Sequence, residues 1–226
     1  MSGSGRRRLD AELVRRGLVE TRHQAQEAIA AGRVLVGGAP ADKPARMVGA
    51  DQPVVLVGPP PRFVGRGGEK LEAALAGFGV PVEGHRALDA GASTGGFTDC
   101  LLQRGARHVV AVDVGYGQLH ERLRADPRVT VMERTNVRSL VLVDPVDLVV
   151  GDLSFISLST VAPALLGTNV RSGADVVVLV KPQFEAGRAE VSKGRGVVRD
   201  PVVWRRVLGE VCSALEAQGA AMMGVM

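Results

Sequence analysis

From residue 87 onward the chain repeats one unit, a short apolar run rich in Val followed by a helical segment. The runs are Ala87–Leu88, Val109–Val112, Val129–Met132, Leu148–Val150 and Val176–Val180. Helical patterns near 69–77, 97–104, 118–124, 157–166 and 202–217 separate them. Runs this short, and apolar throughout, suit strands buried on both faces, as in a parallel sheet covered by helices. The expected fold class is therefore α/β, a doubly wound, Rossmann-like domain.

Residues 1–62 read differently. Leu9, Leu13 and Val14 fall on one helical stripe within residues 8–17, which Gly17 ends. Thr21 is placed to cap a second helix, Arg22–Ala31, with Ala25, Ala28 and Ile29 inward and Gly32 as its stop. Val34–Val36, a turn at Gly37-Gly38 and Val54–Val57 then read as short strands. Gly58-Pro59-Pro60-Pro61 continues neither element and marks a linker. The expected domains are 1–58 and 67–226, joined by residues 59–66.

Charge is distributed unevenly. Ten Lys/Arg face six Asp/Glu in residues 1–62, against eighteen of each in 63–226, so the whole net charge of +4 sits in the first quarter. Such a concentration is the footprint of a phosphate-binding surface, and also of a plain solvated basic face. Arg8-Leu9-Asp10, the run Thr21-Arg22-x-x-Ala25-x-x-x-Ile29-x-x-Gly32-x-Val34-x-Val36-x-Gly38 and Lys43-Pro44 resemble the S4 domain, a small α+β RNA-binding fold. The resemblance makes Arg6, Arg7, Arg8, Arg22 and Lys43 candidates for RNA phosphate contacts, with Arg66, at the end of the linker, a further RNA-binding candidate.

Leu88-Asp89-Ala90-Gly91-Ala92-Ser93-Thr94-Gly95-Gly96-Phe97-Thr98 follows the first strand of the larger domain and opens a helix. Glycines at such a turn admit sharp dihedrals and let a ligand approach the main chain. Asp113 ends the next apolar run, where an acidic side chain suits a ribose diol. The spacing Gly91-x-x-x-Gly95-Gly96 differs from the G-x-G-x-x-G of nicotinamide enzymes and lacks the lysine of a P-loop. It resembles the FtsJ-like ribose methyltransferases, whose cofactor is S-adenosylmethionine.

Open α/β sheets bind substrates at the carboxyl ends of their strands. Asp152 and Lys181 occupy such ends, and Lys70 opens the domain in Gly65-Arg66-Gly67-Gly68-Glu69-Lys70-Leu71. A ribose 2′-hydroxyl must lose its proton as it attacks a methyl donor, and a lysine in its amine form can take it. Each residue also admits a plainer role: Lys181 as a snorkelling strand end, Asp152 as a cap, Lys70 as helix-surface charge.

Longer segments narrow this. Arg66–Leu71, Asp89–Asp99, Val112–Leu119, Asp126–Val129, Glu133–Asn136, Asp152–Leu158, Val180–Gly187 and Gly196–Pro201 together resemble the TlyA family, ribosomal RNA cytidine 2′-O-methyltransferases also labelled haemolysin A. The resemblance implies catalytic roles for Lys70, Asp152 and Lys181. It places Asp89, Gly91, Ala92, Ser93, Thr94, Gly95, Gly96, Phe97, Asp113, Val114 and Asn136 around the cofactor. It also implies ribosomal subunits as partners.

Two departures stand out. Gly65 replaces a serine common in the family, and the segment carrying a fourth catalytic residue, a glutamate, has no counterpart after Ala220–Met226. Residues 220–226 themselves read as a strand whose sheet neighbour, the last strand of the fold, is missing. The expectation is impaired transfer by this chain, with an RNA-binding or assembly role as the alternative.

Composition bounds the rest. Aromatic residues make up 3%, which disfavours a base-stacking platform. Cys100 and Cys212 and the four His show no metal-ligand spacing, so the thiols are expected to be reduced and inert. No apolar run approaches a membrane span, and Met1-Ser2-Gly3-Ser4 opens no signal peptide, so a cytoplasmic protein is expected and a lytic one is not.

Overall fold

The computed structural model describes residues 5–19, 21–59, 61–187, 190–191 and 197–226. Met1–Ser4, Pro60 of the linker and Gly196 lie outside them. The chain divides into two compact units, Met1–Pro60 and Pro61–Met226.

In the first unit, β1 (Arg7–Arg8) leads into α1 (Leu9–Arg15) and α2 (Arg22–Ala30). Then come β2 (Val34–Val36), β3 (Ala39–Pro40), β4 (Met47–Val48) and β5 (Val54–Leu56). β2 pairs antiparallel with β3 and β5, and β1 with β4. Leu9, Leu13, Ala25, Ala28, Ile29, Val34 and Val36 lie in its core, as the sequence pattern expects, whereas Val14 on the same stripe is only half-buried. A capping box starts α2: Thr21 Oγ1 accepts the Gln24 N–H at 3.2 Å, and Gln24 Oε1 accepts the Thr21 N–H at 3.1 Å.

The second unit begins with α3 (Gly67–Phe78) and β6 (Arg86–Ala90). It continues through α4 (Gly96–Gln103), β7 (His108–Val112), α5 (Glu121–Arg124), β8 (Val129–Met132) and β9 (Val146–Gly151). α6 (Leu158–Leu166), β10 (Val170–Val178), α7 (Pro182–Glu185) and α8 (Pro201–Glu216) complete it. The five strands form one parallel sheet in the order β10-β9-β6-β7-β8.

Alternation along each strand sends neighbours to opposite faces. Ala87, Val109, Ala111, Leu148 and Val150 pack with α3 and α4, while Leu88, Val110, Val112 and Val149 pack with α6 and α8. Both faces are apolar, which explains the unbroken Val-rich runs. Leu88, Leu101, Leu148 and Leu165 are fully buried, each contributing roughly 1.5–3 kcal/mol.

The order matters for function. β7 and β8 step outward on one side of β6, and β9 then returns to its other side. A doubly wound sheet opens a crevice at that reversal, between the carboxyl ends of β6 and β9.

Two expectations need correction. Residues 220–226 form no strand and pair with no described strand, and Gly224 and Met226 instead lie against Phe78 and Gly77 of α3. Phe63, assigned above to the linker, is 3% exposed in the core of the second unit. Gly68 makes room for it, since any side chain there would strike the Phe63 ring. Among the described residues, no helix is long and apolar enough to cross a membrane.

Candidate active site

The loop from β6 to α4 lies at the crevice. Gly91 (φ 87°) and Gly95 (φ 98°) take left-handed dihedrals open mainly to glycine. The N–H groups of Gly91 and Ala92 both donate to the Val112 carbonyl, at 2.9 and 3.1 Å. A Cβ on Gly91 would sit 3.1 Å from the Asp152 carbonyl oxygen, so the bare loop is what lets the β6 and β9 ends approach.

Asp113, at the end of β7, closes the loop from the other side. Its Oδ2 accepts the Ser93 N–H at 2.8 Å and its Oδ1 the Gly115 N–H at 2.7 Å. A shallow pocket opens here, lined by Ala92, Ser93, Asp113, Gly115, Gln118 and Glu133. Val114 is exposed beside it. Asn136 caps a short 3-10 turn, its Oδ1 accepting the Arg138 N–H at 3.0 Å.

Asp89 is fully buried beneath the loop, where the Thr98 hydroxyl donates to its Oδ2 at 2.6 Å. Its Oδ1 has no hydrogen-bond partner among the described residues. Burial pushes this carboxyl up to about 7; the Thr98 bonds oppose the rise, and the Asp152 and Asp113 charges add to it.

Lys181 and Asp152 meet across adjacent strands. Lys181 Nζ lies 2.5 Å from Asp152 Oδ1 and donates to Ser154 Oγ at 2.7 Å and to the Asp152 carbonyl at 3.3 Å. The 2.5 Å contact is an ion pair at a buried oxygen, and Asp152 Oδ1 accepts no hydrogen bond among the described residues. Lys70 stands apart. It is exposed on the first turn of α3 and forms no hydrogen bond or ion pair among the described residues. That turn nonetheless borders the site, because a Cβ on Gly67 would lie 4.0 Å from Asp152 Oδ2.

Sequence reasoning assigned no role to three neighbours. Ser154 shares the Lys181 ammonium. Glu185 accepts the Ser157 hydroxyl at 2.6 Å and the Leu158 N–H at 2.8 Å, tying the segment after Lys181 to the start of α6. Phe155, 91% exposed with φ 64°, sets its ring 5.1 Å from that of Phe184. All three lie in the segments 152–158 and 180–187, so the family motifs carried the signal that single-residue chemistry did not.

The RNA candidates all lie at the surface. Arg6, Arg7, Lys43 and Arg66 are exposed. Arg8 and Arg22 are each paired with Asp10 while staying about half exposed.

Comparison with known proteins agrees with this architecture. Residues 63–225 match the FtsJ-like methyltransferase family and residues 7–54 the S4 domain. The 16S/23S rRNA (cytidine-2'-O)-methyltransferase TlyA of Mycobacterium tuberculosis is 54% identical over 97% of this chain and 83% of its own length. Hemolysin A of Brachyspira hyodysenteriae is 41% identical over 92% and 87%. A solved structure from Streptococcus thermophilus bearing a hemolysin name superposes with a TM-score of 0.75 at 42% identity, covering 98% of this chain and 82% of that one. An S4 domain, an FtsJ-like domain and this degree of shared sequence together show that the chain belongs to the TlyA family of FtsJ-like methyltransferases.

Proposed function

We propose that this protein methylates the ribose 2′-hydroxyl of cytidine in ribosomal RNA, with S-adenosylmethionine as methyl donor. The observation that carries the reading is the Lys181–Asp152 pair beside the glycine loop, at the crevice of the sheet.

The loop's side chains fit that donor. Asp89, Asp113 and Asp152 end three neighbouring strands, and one ammonium, Lys181, is paired among them. The unpartnered Oδ1 of Asp89 and the half-buried Asp113 at the pocket suit a cationic amine and a ribose diol. Gly91–Phe97 would follow the ligand with backbone, and Val114 and Asn136 would border it. When bound, S-adenosylmethionine supplies a methyl group already activated by a sulfonium.

The protein's own part is therefore positioning and one proton. Lys181, in its amine form, takes the 2′-hydroxyl proton as the oxygen attacks, and Asp152 stabilises the ammonium that results. Lys70, one turn into α3, is free to turn toward the ribose. Residues 1–58, with Arg6, Arg7, Arg8, Arg22 and Lys43, hold the RNA by its phosphates, and Arg66 adds a contact at the edge of the catalytic unit.

Transfer of a labelled methyl group to isolated ribosomal subunits, followed by mapping of the modified nucleotide, tests the reading. Label on a cytidine 2′-oxygen supports it. Label on a base overturns it, and donor binding with no transfer favours an RNA-binding or assembly role instead.

A further inference from the structure

Two carboxylates of the first unit are buried, and their arginine partners behave differently. Glu12 receives Arg15 (2.6 and 2.8 Å) and Arg16 (2.7 Å). Arg16 continues inward to the carbonyls of Gly49, Ala50 and Gln52 and is mostly buried, so this cluster braces the fold. Asp10 receives Arg8 through Nε at 3.1 Å and Nη2 at 3.0 Å, and Arg22 through Nη2 at 2.8 Å. The Gln26 amide at 3.4 Å and the Ala11 N–H at 2.9 Å complete its shell.

Asp10 is 0% exposed, whereas Arg8 is 47% and Arg22 58% exposed. Among the described residues neither arginine donates to any acceptor except Asp10. One buried anion thus holds two surface guanidiniums that brace no other described residue. Resting on the RNA-binding reading, we propose that Asp10 is a positioning residue that presents Arg8 and Arg22 as a preformed two-pronged receptor for an RNA phosphate.

The physics favours presentation. Arginine matches phosphate through a planar fork, and its long side chain loses rotamer freedom on binding unless already ordered. The arginines also hold the Asp10 carboxyl far below the usual carboxylate range, so the arrangement persists at every pH at which the RNA is folded.

The test compares Asp10→Asn with Arg8→Ala/Arg22→Ala in the full chain, binding isolated ribosomal subunits over a salt series. Bulk electrostatics alone makes Asp10→Asn bind about threefold tighter, because a negative charge near phosphate is gone. Positioning makes it bind about tenfold weaker, from re-ordering two long side chains. Its salt slope should stay at the parental value, while Arg8→Ala/Arg22→Ala lowers that slope by about two counterions. Adding Asp10→Asn to the double variant should then no longer weaken binding, because the arginines it positions are gone.

Tighter or unchanged binding by Asp10→Asn, with a weakened double variant, overturns the positioning role and leaves RNA contact by the arginines standing. A double variant that binds like the parent overturns both. If Asp10→Asn loses its thermal transition, Arg8→Lys/Arg22→Lys replaces it, keeping the charge but losing the fork. Binding about tenfold weaker at an unchanged slope supports the proposal, and parental affinity overturns it.

Discussion

Lys181 and Asp152 stand 2.5 Å apart at the ends of two parallel neighbours, β10 and β9, and Ser154 holds the same ammonium at 2.7 Å. If Lys181 moves the ribose proton, Lys181→Ala should slow single-turnover methyl transfer by about 10²–10⁴-fold. Titration should find S-adenosylmethionine bound as tightly as by the parent. Equal losses in both measurements would move Lys181 from the chemistry to the cofactor site.

Asp89 makes a prediction about pH. Its carboxyl ionises at about 7 in the folded protein because it is buried, against about 4 in the unfolded chain. Between those values the folded state keeps a proton that the unfolded state has lost. Stability therefore falls as pH rises from about 4 to about 7 and levels off above, by up to about 4 kcal/mol. Asp89→Asn stays neutral throughout, so its melting temperature should lose this decline and exceed the parent's at pH 8. Parallel melting curves for the two proteins would contradict the assignment.

Asn169 is 3% exposed and serves three backbone groups. Its Oδ1 accepts the Leu142 N–H at 2.8 Å, and its amide donates to the carbonyls of Leu140 at 2.8 Å and Ala164 at 3.4 Å. Asn169→Ala strands these groups in the interior and should cost roughly 2–4 kcal/mol. Denaturant unfolding measures this directly, and a loss below about 1 kcal/mol would mean that water replaces the amide.

Much of this architecture is legible in the sequence because local pattern and tertiary environment agree. Ala87–Leu88 in β6, Val109–Val112 in β7 and Leu148–Val150 in β9 are apolar stretches since both faces are covered. Asp152 and Lys181 announce themselves by following such runs directly. The Asp10 cluster does not, because its donors come from β1 and α2 and only the fold assembles them. Residues 220–226 have strand composition, yet a strand exists only where a neighbour offers a ladder. Phe63 looks like linker until Gly68 is seen to leave it a slot.

Gly96 opens α4 with its Cα side facing main chain. A Cβ there would lie 3.0 Å from the Gly68 nitrogen and 3.2 Å from the Gly65 carbonyl oxygen. Since backbone cannot swing aside as a side chain does, Gly96→Ala should destabilise by about 1–3 kcal/mol and weaken S-adenosylmethionine binding. Gly67→Ala, whose Cβ would meet only the Phe97 ring at 3.4 Å and Asp152 at 4.0 Å, should melt close to the parent. Thermal melting of the two variants side by side decides whether backbone contact or mere crowding sets the cost.

That seam between the two helix starts works as a gauge with no adjustable part. Rotamers can lengthen or shorten most contacts, but main chain against main chain has one working distance. The spacing between the glycine loop and the first turn of α3 is thereby fixed before any ligand arrives. Lys70 rides on that turn, so its range of motion is metered by three glycines that bear no functional group at all.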